Sequence, residues 1–523
     1  MTARTDDLLI GVDLGTSVVK AALYTPDGAA LATTARATTL RQPAPGVAEQ
    51  DPDEFVAAAL AVIREVVAAA GCAPGAVAAI GFAGQMGGLL GIDKEWQAIT
   101  PWYVSTLDTR YVPYVARMEA QAGPAMLALG GAVPIAGPRM LWWQQEHPAL
   151  DARIAKVLIL ANFVAGRLAG LTAEEAFVDP SYLTWFGLSD TANRIWSPEL
   201  VEQVGLDATK LPRIVPAATR IGSLTPEAAA ACGLRAGVAL VAGAGDQVAG
   251  FLGAGLVDAG QVIDVAGTFP VLATPLDRFL PGARGATFQA LAGPLDSAPW
   301  YAMMYIGGGG LTHRWFVENF GGGSAEGTAS YAALDAQAAA VAPGAEGLIF
   351  LPHLGGRASP VDPDQRGAWL GITWTHGPAH FYRAVLESIA YDYAGALAEL
   401  RALAPGLRVD GVRVIGGGAR SRVWNQIKAD VLGIPYAPLR RPDVTTWGCA
   451  ILAGHAAGIF PDMAAVARRS VDQGEMVAPR PAFTAHYAGY VQAYQQALAD
   501  LRGVHTALAR LRSTAPPAVD DIG

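Results

Sequence analysis

The sequence predicts an α/β chain folded as two halves, and three observations carry that prediction. The chain has 523 residues, more than one hydrophobic core usually supports. Short apolar runs of strand length alternate with longer runs of helical period. The phrase Asp-Leu-Gly-Thr at 13–16 returns as Asp-Val-Ala-Gly-Thr at 264–268, about half the chain later and again after an apolar run.

Taken in order, Leu8 to Asp13 reads as a strand and Val18 to Thr25 as a second. Pro26-Asp27-Gly28 is a turn signal, and Ala30 to Thr39 reads as a third strand. Asp51 opens a helix as its N-cap, with Pro52 as first helical residue and Glu54 as capping-box partner. Phe55, Leu60, Ile63 and Val67 repeat at roughly helical spacing, and Ala76 to Phe82 returns as a strand. In the second half, Gln261 to Val265 is a strand, His380 to Leu403 a long helix and Val412 to Ile415 a strand. Ser421 to Leu432 is a helix with Val423, Ile427 and Val431 on one face. A last helix is expected from Ala482 to Leu511, with a frayed tail beyond it. No low-complexity linker separates the halves, so they are expected to pack across a cleft. The expected division is 1–253, 254–512 and a tail at 513–523.

Composition narrows the function. Hydrophobic residues make up 52% of the chain and charged ones 16%, as in a well-buried enzyme and unlike a disordered chain. Net charge is −9 and no Lys/Arg run occurs, which argues against a nucleic-acid partner. A small anionic ligand stays possible, because backbone amides bind one without a basic surface. Cys72, Cys232 and Cys449 are far apart and form neither a disulfide framework nor a zinc spacing, which suits a reducing cytoplasm. MTARTDDLLIGVD places two acids before any apolar run and does not read as a signal peptide. The apolar window Gly71 to Ile92 is long enough to span a membrane. It contains Pro74 and Gln85 and is rich in Gly and Ala, so it reads as a buried strand and turn, and no membrane partner is expected.

Four stretches carry candidate chemistry. In GVDLGTSVVK, Gly11 to Lys20, a strand ends at Asp13 and Gly15, Thr16 and Ser17 make a tight polar turn. Such a turn brings backbone N–H groups and hydroxyls to a phosphate, and Lys20 adds a point charge. Asp13 would not touch phosphate directly, but suits a hydrated Mg²⁺. The same residues also fit an ordinary hairpin. In VRVIGGGARSRVWNQIKADVLG, a strand meets three glycines and then a helix, so Gly416 to Gly418 offer bare backbone at a helix N-terminus. A turn needed only for packing would look similar. In VALVAGAGDQVAGFLGAG, Asp246 is a lone carboxylate among small and apolar residues. It reads as a general base or as the cap of a helix from Gln247 to Leu252, and one position serves both. In GFAGQMGGLLGID and STLDTR, Gln85, Asp108 and Arg110 offer partners for several hydroxyls, although each singly also fits a solvated loop. The chain lacks GxxxxGK[ST] and GxGxxG, so no P-loop or dinucleotide fingerprint is available. His376 and His380 lie four apart, but Pro378 and the lack of HExxH argue against a metal pair.

In this order the motifs resemble the FGGY family of carbohydrate kinases, over nearly the whole chain. GVDLGTSVVKAAL is similar to its first phosphate motif, GFAGQMGGLLGID with LDTR to its sugar-facing region and VAGAGDQVAGFLGAG to its catalytic-aspartate segment. DVAGT is similar to its second phosphate motif. FLPHLGGR, RGAWLGIT and FYRAVLESIAY are similar to its C-terminal signature, and VIGGGARSRVWNQIKADVLGIP with TTWGCAILAG to its adenosine segment.

The resemblance implies two actin-like, ribonuclease H-like domains with an interdomain cleft, and phosphorylation of a sugar or polyol hydroxyl by ATP with Mg²⁺. It implies that Asp246 is the general base and also lies beside the metal with Asp13. Gly15, Thr16, Ser17 and Lys20 would form the first phosphate loop and Gly267 and Thr268 the second. Gly310 would lie near the nucleotide, with Gly417, Gly418 and Ser421 at its adenosine end. Gln85, Met86, Asp108, Arg110 and Gln247 fall where sugar contacts are expected. A homodimer is among the assemblies it allows.

The chain departs from the xylulokinase subgroup it most resembles. Gly87 stands where a His follows Gln-Met, Thr106-Leu107 stands where Trp-Asn precedes the Asp, and Phe269 replaces a Ser. The expected substrate is a pentulose such as xylulose, with ribulose, other ketoses, erythritol and arabitol open. A nucleotide-dependent sensor and an ATP-binding filament protein share such a fold. The presence of Asp13 and Asp246 argues against the sensor, and the polar set around Gln85 and Asp108 against the filament.

Overall fold

The computed structural model describes residues 7–281, 287–295, 298–306, 309–320 and 328–513. Seven strands build the first sheet: Leu8–Leu14 (β1), Val18–Tyr24 (β2), Ala30–Ala37 (β3), Val77–Gly84 (β4), Arg220–Ser223 (β5), Ala239–Val241 (β6) and Ala244–Gly245 (β7). Their order is β5-β6-β4-β1-β2-β3, with β7 also on β4. β1, β6 and β7 run parallel to β4, while β1, β2 and β3 form an antiparallel meander.

The second sheet holds Gly260–Val265 (β8), Val271–Leu276 (β9), Gln289–Ala292 (β10), Trp300–Tyr305 (β11), Val409–Ile415 (β12) and Tyr436–Pro438 (β13), in the order β10-β11-β9-β8-β12-β13. Here β8, β9 and β11 are antiparallel neighbours, and β8, β12 and β13 are parallel. In both sheets the first strand thus has antiparallel strands on one side and a parallel neighbour on the other. The repeated phrase falls at the same place in each, the turn from the first strand to the second. This is the two-domain actin-like plan.

The helices that matter below are Pro52–Ala70 (α1), Ala136–Glu146 (α2), Asp246–Gly253 (α3), Gly309–Phe320 (α4), Pro378–Leu403 (α5), Arg422–Leu432 (α6), Val444–Ala456 (α7), Pro481–Asp500 (α8) and Arg502–Ser513 (α9). The N-cap of α1 is Asp51, which accepts from the Asp53 amide at 3.0 Å. Glu54 is not its capping-box partner, because that carboxylate accepts from the Thr39 hydroxyl at 2.7 Å. Leu60 is only half-buried; Ala59, Val62 and Val66 complete the apolar face instead. The expected last helix is two, broken at Leu501. Gly503 weakens the helix there, and the break turns His505 into the interior, where it is 5% exposed. Of the expected tail, 514–523 lies outside the described residues.

Helices cross between the halves. α7 lies late in the chain, yet packs on β1 and β4 of the first sheet and against α3. Glycine makes this possible: a Cβ on Gly11 would overlap the Thr446 carbonyl, one on Gly81 the Cys449 carbonyl and one on Gly448 the Ala249 carbonyl. In return α3 reaches the second sheet, where Phe251 lies 5.0 Å from the Tyr301 ring and Tyr301 donates to the Leu256 carbonyl at 3.0 Å. α3 and α7 therefore form a shared layer between the two sheets. Among the described residues, no helix is long and apolar enough to cross a membrane.

Candidate active site

Parallel strands deliver their C-terminal ends to one side of a sheet, where open α/β folds bind ligands. In the first sheet, Asp13 of β1 and Ala244 of β7 are both in register with Ala83 of β4. Asp246, two residues beyond Ala244, is therefore brought to the same end as Asp13. The strands themselves lie two spacings apart, on the order of 10 Å.

Asp246 is the first residue of α3, and Gly245 is the N-cap. Its carboxylate accepts from the Gln247 amide at 2.7 Å, but Asp246 is not the expected cap, since the helix already includes it and Gly245 precedes it with no side-chain cap. Burial, with the Asp13 charge facing it, pushes the carboxyl from 3.8 up to about 7. Asp13 is raised to about 6, mainly by burial, with Lys20 opposing. Its Oδ1 is buried and has no hydrogen-bond partner. Two carboxylates facing each other, both raised despite Lys20 opposite Asp13, form a site that favours a proton or a cation.

The backbone around Asp246 is braced from beneath. The Gly245 amide donates to Ser181 Oγ at 2.8 Å. Tyr182 Oη donates to the carbonyls of Gly84 and Ala244 at 3.2 and 3.3 Å. Met86 packs against Gly245, where any side chain would collide with its thioether. Gln247 is half-buried on the next position of α3.

The turn after Asp13 is closed by the Gly15 amide on the Val18 carbonyl at 3.1 Å. Thr16 Oγ1 donates to Gln85 Oε1 at 3.1 Å, Gln85 Nε2 to Gln50 Oε1 at 2.8 Å, and Gln50 Nε2 to the Thr16 carbonyl at 2.9 Å. Gln85 is 4% exposed and its amide is spent on this ring, so the structure places it as a brace of the turn. Ser17 is exposed. Lys20 sits opposite Asp13 on β2, and its Nζ lies 3.5 Å from Asp443 Oδ1, just before α7.

Asp108 and Arg110 pair with each other. Asp108 is 0% exposed and also accepts from the Ala48 amide at 3.1 Å, while Arg110 adds Glu49 at 2.5 Å. The guanidinium lies 4.9 Å from the Tyr103 ring and 5.0 Å from Trp142. Gly87 has φ +78°, and a Cβ there would meet Ser105 Oγ at 3.1 Å and Ile135 Cδ1 at 3.2 Å. The loops 85–88 and 104–110 thus pack on one another.

On the second sheet, Val265 and Ile415 are in register, so the Gly267-Thr268 turn and the Gly416–Gly418 turn emerge side by side. The Gly418 amide donates to the Ala266 carbonyl at 2.9 Å. Gly310, in the first turn of α4, presses on Gly267 and Thr268, and the Leu311 amide donates to the Thr268 carbonyl at 3.2 Å. Positions 267 and 417 face open space, so their backbone is accessible. Ser421 is the N-cap of α6, accepting from the Trp424 amide at 3.0 Å. Behind this surface Lys428 Nζ meets Asp264 Oδ2 at 2.5 Å, both 0% exposed, with Tyr393 Oη on Asp264 Oδ1 at 2.8 Å.

Sequence reasoning passed over Gln50, Ser181, Tyr182 and Arg139. The first three are ordinary residue types, Gln50 in a two-residue strand and Ser181 and Tyr182 in a 3-10 turn, with no motif around them. Arg139 carried a faint signal, as a lone cation in the apolar run IAGPRMLWW.

The chain matches known proteins over most of its length. Residues 8–253 match the N-terminal domain of the FGGY family of carbohydrate kinases and residues 269–457 its C-terminal domain. A xylulose kinase of Bacillus subtilis is 27% identical over 508 residues, covering 96% of this chain and 99% of that protein. An autoinducer-2 kinase of Klebsiella pneumoniae is 28% identical over 95% of this chain and 94% of its own. The crystal structure of a xylulose kinase from Rhodospirillum rubrum superposes with a TM-score of 0.84 at 27% identity, covering 95% of this chain and all of that one.

Proposed function

Because the chain belongs to the FGGY family of carbohydrate kinases, ATP-dependent phosphotransferases acting on a sugar hydroxyl, we propose that it phosphorylates a pentulose of xylulose type, with Asp246 as general base. The observation that carries this reading is that Asp246 and Asp13 face each other at one end of the first sheet, with Lys20 opposite Asp13 and Asp13 Oδ1 left without a hydrogen-bond partner.

Phosphoryl transfer asks a protein mainly for alignment and charge neutralisation. The turns Gly15–Ser17 and Gly267–Thr268 supply backbone N–H groups for the phosphates, with Lys20 as the nearby charge, and Gly310, Gly417, Gly418 and Ser421 shape the nucleotide side. Met86, Asp108, Arg110 and Gln247 would line the acceptor end, with Gln85 behind them. Asp246 accepts the hydroxyl proton on its carboxylate as the acceptor oxygen bonds to the γ-phosphorus and the bond from that phosphorus to the bridging oxygen breaks, with ADP leaving on that oxygen. A carboxyl titrating at about 7 holds that proton far better than an ordinary aspartate. The residues present fit a Mg²⁺ ion: Asp13 and Asp246 would hold it, and the orphaned Asp13 Oδ1 is a free ligand atom. Among the described residues no cluster of three metal-ligating side chains exists, as suits an ion that shares its shell with phosphate and water. When bound, the ion offsets phosphate charge. The division at residue 253 separates an acceptor half from a nucleotide half in this reading, which places the enzyme in the cytoplasm beside its ATP.

A coupled ADP-release screen over pentuloses, hexuloses, polyols and gluconate, with ATP and Mg²⁺, tests the reading. Fastest release with a pentulose supports it; fastest release with another acceptor class overturns the pentulose assignment.

A further inference from the structure

Arg139 lies in the first turn of α2 and is 0% exposed. That position is unfavourable three times over. A cation near a helix N-terminus opposes the helix dipole. A buried charge costs several kcal/mol unless paired, and among the described residues Arg139 joins no ion pair. Its Nε is buried with no hydrogen-bond partner. Burial pulls the guanidinium down to about 10, so it stays charged at neutral pH nonetheless.

What it does make is a set of hydrogen bonds to backbone oxygens. One terminal nitrogen donates to the Gly87 carbonyl at 2.8 Å. The other donates to the Asp108 carbonyl at 3.1 Å and to the Ser105 carbonyl. The Tyr111 ring covers its face at 4.5 Å. These carbonyls belong to the two loops, and among the described residues no other side chain hydrogen-bonds to both. Gly87 cannot brace its own loop, since it has no side chain. The Asp108 carboxylate is occupied by Arg110 and the Ala48 amide.

We propose that Arg139 is the positioning residue of the acceptor pocket: it clamps the 85–88 loop to the 104–110 loop and so sets the spacing in which the sugar is held. It touches no substrate and takes no part in proton or phosphoryl movement. The proposal deepens the kinase reading and rests on it.

The test is steady-state kinetics on the full chain with D-xylulose, D-ribulose and gluconate as probe acceptors, for wild type, Arg139→Lys, Arg139→Met, Arg139→Ala and, in parallel, Asp246→Asn. A clamp predicts that Arg139→Met raises KM for the preferred acceptor at least tenfold, while KM for ATP and kcat at saturation stay within about twofold. Lysine, which reaches fewer carbonyls, should give an intermediate KM, and added guanidinium ion should lower the KM of the methionine variant only weakly but that of Arg139→Ala strongly. If Arg139→Met does not fold, the lysine and alanine variants decide. Equal losses for acceptor and ATP, or unchanged acceptor KM in every soluble variant, overturn the clamp. Full turnover in Asp246→Asn overturns Asp246 as the base, and no ADP release by the wild type with any of the three acceptors overturns the kinase reading instead, whatever the Arg139 variants do.

Discussion

Asp13 and Asp264 stand one residue before the end of the first strand of their respective sheets, yet only Asp264 is in direct contact with a cation: Lys428 lies 2.5 Å from it, whereas Lys20 acts on Asp13 from the neighbouring strand and Asp13 Oδ1 is buried without a hydrogen-bond partner. One member of the repeated phrase is satisfied as structure and the other is left with unmet capacity. Removing one partner of a buried pair typically costs about 3–5 kcal/mol. Lys428→Met should therefore lower the unfolding free energy by roughly that amount in denaturant titration. Asp13→Asn should leave stability unchanged or raise it, and should abolish most turnover. A destabilised Asp13→Asn would contradict this division.

The pH dependence of the free enzyme follows from Asp246. Its carboxyl is raised from 3.8 to about 7, so the folded state binds a proton that the unfolded chain releases. Stability from this group is present below the ordinary carboxylate value and is lost as pH rises towards 7. Asp246→Asn should flatten that fall, stabilising the protein at pH 8 by roughly 1–3 kcal/mol relative to wild type while changing little at pH 4. Differential scanning calorimetry at the two pH values checks it. For the same reason kcat/KM should rise with pH through about 7 when the free enzyme's base is limiting.

Gly87 sets a limit on the acceptor side. At φ +78°, with Ser105 and Ile135 close by, a side chain there is strained. Gly87→His should change the ranking of acceptors and raise acceptor KM, with ATP affinity kept. Gly87→Ala isolates the backbone strain. Identical acceptor profiles in all three proteins would remove Gly87 from the pocket wall.

The shared helix layer makes a separate claim about stability. A methyl group at Gly448 would drive α7 away from α3 at the Ala249 carbonyl. Overpacking of this kind costs about 1–3 kcal/mol, so Gly448→Ala should shift the urea midpoint down. An unchanged midpoint would mean that the two helices do not bear on each other as described.

Much of this molecule is readable in its sequence, for identifiable reasons. β1, β2, β4, β8 and β12 are legible because apolar runs end in glycine turns, and α5 and α6 because their period is regular. Asp246 is legible because one carboxylate in an apolar stretch needs an explanation. What is hidden depends on distance along the chain. The Asp264–Lys428 pair spans 164 residues, and α7 leaves its own half to cover β1. Gln85 reads as a ligand group, yet folding spends its amide on Thr16 and Gln50. Arg139 reads as a stray cation until three carbonyls are seen around it.

The most direct measurement is rapid-quench single-turnover phosphorylation of the preferred acceptor by Asp246→Ala, alongside calorimetric ATP binding to the same variant. Loss of the base predicts a transfer rate lower by about 10²–10⁴-fold with ATP affinity nearly kept. A transfer rate equal to that of the wild type would contradict the assignment of Asp246 as the group that takes the hydroxyl proton.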